Sequence, residues 1–74
     1  MARMTMAEFR LEKQEYIELN NLLKVLGLCD TGGMAKAAVA EGHVRVNGSV
    51  ELRKRCKLRR GDKVEFEGHE IIVV

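Results

Sequence analysis

Leu19, Leu22, Leu23 and Leu26 stand three, one and three residues apart, and Gly27 follows at once. That spacing lines one face of an amphipathic helix, and the glycine closes it. The polar face carries Glu18, Asn20, Asn21 and Lys24. A chain of 74 residues has room for one thin core around such a face, not for a deep catalytic cleft. A second helix is predicted from about Gly32 through Glu41, stopped by Gly42 and capped by Asp30 or Thr31. Its body, Met34 to Ala40, holds four alanines, which favour helix and let a neighbour approach closely. Only Leu28 to Thr31 separates the helices, so they must turn sharply on each other, as in a helix-turn-helix pair. Proline is absent, so glycine makes the turns.

Strand patterns occupy the second half. His43-Val44-Arg45-Val46 and Val50-Glu51-Leu52 flank an Asn47-Gly48-Ser49 turn. A two-residue loop would set Val50 opposite Arg45. A three-residue loop sets Val46 opposite Val50 and Val44 opposite Leu52, and apolar side chains then share a face. Pattern therefore favours the three-residue loop. Lys63 to Phe66 and Glu70 to Val74 form a last hairpin around Glu67-Gly68-His69. Glu8 to Glu12 alternates polar and apolar residues, so a short strand is expected there, and residues 1–8 are otherwise expected to fray. The fold class is thus α+β: two short helices packed on a small antiparallel sheet.

Charge is distributed unevenly. Net charge is only +2, but residues 43–63 carry eight Lys/Arg against two carboxylates. Six of the cations fall within Arg53-Lys54-Arg55-Cys56-Lys57-Leu58-Arg59-Arg60, where no anion is present. Apolar strand-like residues flank this block, so it is part of a folded surface rather than a tail. Concentrated positive charge on a folded face is the footprint of a phosphate-binding surface. Glu65, Glu67 and Glu70 make the C-terminal end acidic.

Other chemistries find little purchase. Cys29 and Cys56 form no CxxC pair, and with His43 and His69 they have no metal-site spacing. No cofactor is expected, no small-molecule substrate and no catalytic residue. No apolar leader or membrane span is visible, so a cytoplasmic protein with reduced thiols and no membrane partner is expected. Cys29 reads as packing. Cys56, ringed by cations, is expected to have a lowered pKa if exposed. Phe9, Tyr16 and Phe66 are the only aromatic residues, too few for a platform that stacks single strands.

Leu19, Leu22 or Leu23, and Gly27, followed by Ala35, Val39 and Gly42, then Val44-Arg45-Val46-Asn47-Gly48 and Gly61-Asp62, make an ordered set. Over roughly residues 17–64 it resembles the RNA-binding domain named after small-subunit ribosomal protein four, the alpha-L motif. Gly32-Gly33-Met34-Ala35-Lys36 together with Arg53-Lys54-Arg55 is most similar to small stand-alone bacterial members, the YbcJ and YaaA type. The resemblance implies one RNA-binding domain over 9–74. It also implies that the helix pair and the following loop face structured RNA in ribosome assembly, translation or RNA handling.

The residues expected to carry binding are Arg53, Lys54, Arg55, Lys57, Arg59 and Arg60, since guanidinium groups make paired hydrogen bonds to phosphate. Thr31, Gly32 and Gly33 open the second helix, whose free N–H groups suit an anion. The glycines equally suit a sharp inter-helix turn. Lys36 lies one turn further, as a phosphate ligand or a solvated lysine. Arg45 lies on the polar face of its strand. The cluster and the start of the alanine-rich helix are expected to form a single cationic surface, read by a folded RNA through shape and backbone contacts. An acidic protein is the alternative partner for the same loop.

Overall fold

The computed structural model describes residues 5–74, with the element order β1 (Thr5–Phe9), β2 (Ile17–Glu18), α1 (Leu19–Val25), α2 (Gly32–Ala40), β3 (Val44–Val46), β4 (Ser49–Val50), β5 (Lys57–Leu58), β6 (Lys63–Phe66) and β7 (His69–Val73). Both helices form where the leucine and alanine patterns predict them. Each ends in the same device. Gly27 (φ 74°) and Gly42 (φ 81°) adopt left-handed backbone. The next amides, of Leu28 and His43, then donate back to the carbonyls of Leu23 and Ala38. That six-to-one bond satisfies end-of-helix carbonyls and reverses the chain.

Leu19, Leu22 and Leu23 are fully buried, as are Ala35 and Val39 of α2. They join Val44, Val64, Phe66, Ile71 and Val73 from one face of a five-stranded sheet in a single core. The sheet order is β1-β7-β6-β3-β4. Its pairs are antiparallel except β1 with β7, which is parallel. The architecture is α+β, as the pattern predicts, with one parallel pair added to the antiparallel sheet.

The β3–β4 hairpin corrects the expected register. Arg45 pairs with Val50 and Val46 with Ser49, so the loop is the two-residue Asn47-Gly48. Both residues have positive φ, 52° and 87°, the backbone of a tight hairpin turn for which Asn-Gly is the preferred pair. The Asn47 side chain adds tertiary bonds: Nδ2 donates to Asp62 Oδ1 and Oδ1 accepts from the Lys63 amide, each at 3.0 Å. Val50 and Leu52 consequently stay 51% and 60% exposed. Burying Val50 and Leu52 at the edge of the sheet was the weaker force.

The N-terminal expectations also shift. Residues 1–4 lie outside the described residues. Residues 5–8, expected to fray, belong to β1, whose partners run from His69 to Val73. Phe9 and Leu11 of the alternating stretch do turn toward the core, but the ladder ends at Phe9. The Leu11 amide donates instead to Val74 O (2.9 Å). A feature with no sequence forecast is the short antiparallel ribbon β2–β5, with Ile17 opposite Leu58 and Glu18 opposite Lys57.

Candidate nucleic-acid interface

The basic segment is built into the fold at five points. Leu58 is fully buried beside Ile17, so the β2–β5 ribbon turns these two side chains inward. Alternation along a strand then turns Lys57 and Arg59 outward, and both are exposed. Upstream, the carbonyls of Cys56 and Lys54 accept from the Leu19 and Asn20 amides at 2.9 and 3.0 Å. Those amides begin α1, where an intrahelical partner is impossible. The preceding Glu18 supplies no side-chain cap, so the basic loop caps the helix. Downstream, Asp62 Oδ2 accepts from the Arg59 amide (2.8 Å), and Arg60 Nη2 donates to Glu12 O (3.0 Å). The segment is thus fastened to the start of α1.

Six cations share this rigid segment, but they are not equivalent. Arg53 makes a two-pronged ion pair with Glu51: Nε to Oε2 at 3.0 Å and Nη2 to Oε1 at 2.9 Å, with its own amide also donating to Oε2. These hydrogen bonds hold the Glu51 carboxyl well below the usual range, at about 2, so the pair stays intact at neutral pH. Among the described residues, no carboxylate lies within salt-bridge distance of Lys54, Arg55, Lys57, Arg59 or Arg60. All five side chains are exposed. Lys57 Nζ lies 4.9 Å and Arg59 Cζ 5.9 Å from the ring centroid of Tyr16, close enough for cation–π attraction.

Cys56 does not meet the condition of exposure on which a lowered pKa was expected. It is half-buried, and its thiol is pushed up, first by that burial and then by its hydrogen bond to Glu51, despite the surrounding cations. Cys29 is buried and also pushed up, chiefly by desolvation. Neither is an activated thiolate.

The remaining sequence candidates lie at the start of α2, one turn along it and on β3. Thr31 caps α2, its Oγ1 accepting from the Met34 amide at 3.1 Å. Gly32 and Gly33 have no left-handed backbone. A Cβ would meet nothing within 4 Å at Gly32, and only Thr31 Oγ1 at 3.8 Å at Gly33. The turn between the helices therefore falls on Gly27, and the start of α2 is open. Lys36 is exposed one turn along. Arg45 is exposed on the sheet, across from Glu65, and borders a cleft with Glu67. Sequence reasoning missed Tyr16, Glu51 and Asp62. Only the β2–β5 pairing and the hairpin register reveal what they touch.

A family model described as the S4 domain matches residues 9–74. The chain belongs to the S4-domain family. It is similar to an Escherichia coli protein named "Putative RNA-binding protein YbcJ", 51% identical over 69 residues, covering 93% of this chain and 99% of that one. A Bacillus subtilis protein named "Probable ribosome maturation protein RlbA" is 43% identical over 54 residues, 73% of this chain and 76% of that one. The solution structure of the Escherichia coli YbcJ, described as revealing an alpha-L motif involved in RNA binding, superposes with a TM-score of 0.70 at 47% identity. It covers all of this chain and 91% of the other. In this S4-domain chain the ordered glycines and leucines of the motif are the helix caps and core described above.

Proposed function

We propose that this S4-domain protein is a non-enzymatic module that binds structured RNA, ribosomal or transfer RNA, through its phosphate backbone, and works in the cytoplasm in association with the ribosome. The observation that carries the reading is the set of five exposed cations on one anchored segment, none of them in a salt bridge among the described residues. Arg and Lys held at fixed positions bind a phosphate array without first ordering a loop, so little conformational entropy is lost on binding. The similarity to proteins named for RNA binding and for ribosome maturation supports the same partner class. The start of α2, open over Gly32 and Gly33, provides a second place for backbone phosphate. Arg53, held by Glu51, serves the fold of the loop more than the ligand.

Filter binding of a structured RNA across a salt series tests this. Neutralising four or five phosphates is expected to give a slope of log K against log salt of roughly −3 to −4. No retention of total cellular RNA at low salt would refute it and leave the loop to an acidic protein.

A further inference from the structure

We propose that the interface contains a subsite for one unpaired nucleotide, with Tyr16 as its stacking surface; this rests on the RNA-binding reading above and names what that RNA presents. Pairing Ile17 with Leu58 and Glu18 with Lys57 continues to bring Tyr16 opposite Arg59. The ring therefore stands on the outward face of the ribbon, next to Lys57 and Arg59. It is 37% exposed. Buried aromatic residues serve the core. This one lies at the surface, beside cations of the proposed phosphate track.

Tyr16 also lines an open cleft of about 410 Å³, together with Gln14, Glu15, Ile17, Glu18 and Asn21. The lining supplies two amides and two carboxylates around one aromatic ring, while the Ile17 side chain turns away into the core. Amides and carboxylates are the groups that hydrogen-bond the edges of bases. Two carboxylates also make the cleft hostile to phosphate, while Lys57 and Arg59, beside the Tyr16 ring, attract it. The charge pattern thus orients a nucleotide with its base inward and its phosphates outward on the cations. Stacking of a base on the ring releases Lys57 and Arg59, both long exposed side chains, to the phosphates on either side. A base paired and stacked within a helix hides its Watson–Crick edge and its face, so it cannot be held in this way. The ligand is therefore structured RNA with a bulged or flipped-out nucleotide beside a helix. A single ring suits one base rather than a single-stranded run.

The experiment compares a fully paired RNA hairpin with the same hairpin carrying one bulged 2-aminopurine nucleotide. Each is titrated with wild type, Tyr16→Leu and Tyr16→Phe, with folding checked by thermal melting. Wild type and Tyr16→Phe are expected to prefer the bulged RNA by roughly 5- to 100-fold and to quench its fluorescence on binding. Tyr16→Leu is expected to lose the preference for the bulged RNA and the quenching. Equal wild-type affinity for the two RNAs would overturn the subsite and leave RNA binding standing. An equal fall for both RNAs in Tyr16→Leu would also overturn it, reducing the ring to a support for Lys57 and Arg59. Binding of neither RNA would overturn the RNA reading itself. If Tyr16→Leu does not fold, quenching by wild type and Tyr16→Phe decides, and unchanged fluorescence in the bound complex refutes stacking.

Discussion

Lys54→Glu combined with Arg55→Glu is expected to weaken binding of structured RNA by about 100-fold or more while leaving the fold intact. These two side chains are exposed at the tip of the basic loop and contact no carboxylate among the described residues. Each charge-assisted contact to phosphate is worth about 1.5–3 kcal/mol, and about 1.4 kcal/mol is tenfold in affinity. Reversal adds repulsion to the loss of both contacts. The fold does not depend on these side chains, because the bond to α1 at this point comes from the Lys54 backbone carbonyl. Stability is expected to change by no more than about 0.5 kcal/mol, as for other surface positions. Filter binding and thermal melting together check both halves. Undiminished affinity would place the RNA surface elsewhere.

The largest effect on stability is expected at Leu58, the side chain that fastens the basic segment to the core. It is fully buried. Leu58→Ala removes buried methyl groups and leaves a cavity, which costs about 2–5 kcal/mol in a packed core. A domain of this size has roughly 4–11 kcal/mol in total, so the loss is a large share. The expected fall in thermal midpoint is about 10–30 °C, read by circular dichroism. Leu52→Ala is the internal comparison. Leu52 precedes the same segment but is 60% exposed, so its truncation should shift stability by only about 0.5 kcal/mol. If Leu58→Ala melts like wild type, the β2–β5 ribbon is not part of the core, and the cations are not rigidly held.

The contrast between these leucines shows what the sequence made legible. Periodicity located α1 because four leucines must share one face, and Gly27 and Gly42 marked the chain reversals. It did not reveal that Leu58 is core, because one apolar residue between cations has no period. The β2–β5 ribbon has two residues per strand, below any length at which alternation can be read. The hairpin failed differently. Apolar pattern argued for a three-residue loop, but Asn47-Gly48 suits a tight turn, and Asn47 gains bonds to Asp62 and Lys63 that only the tertiary structure supplies. Strand β1 pairs with the far end of the chain, and nothing local specifies such a partner.

The basic segment itself was legible as a charge run, but its inequalities were not. Glu51 lies two residues before Arg53, and only the folded loop shows the fork that takes Arg53 out of the free set. Cationic neighbours suggested an activated Cys56. Burial and Glu51 outweigh them. Tyr16 looked like a lead-in to α1, and its place beside Lys57 and Arg59 follows from pairing across about forty residues of sequence. Local pattern fixes helices and turns, while contacts between distant segments assemble the surface.

The most direct test of the central claim is a residue-resolved NMR titration of the ¹⁵N-labelled protein with a structured RNA. The largest amide shifts are expected from Lys54 through Arg60, with further shifts at Tyr16 and at Gly32 and Gly33. Shifts confined to the acidic β6–β7 end, or a saturated complex that leaves Lys54 to Arg60 unmoved, would contradict the claim that this anchored segment is the RNA-binding surface.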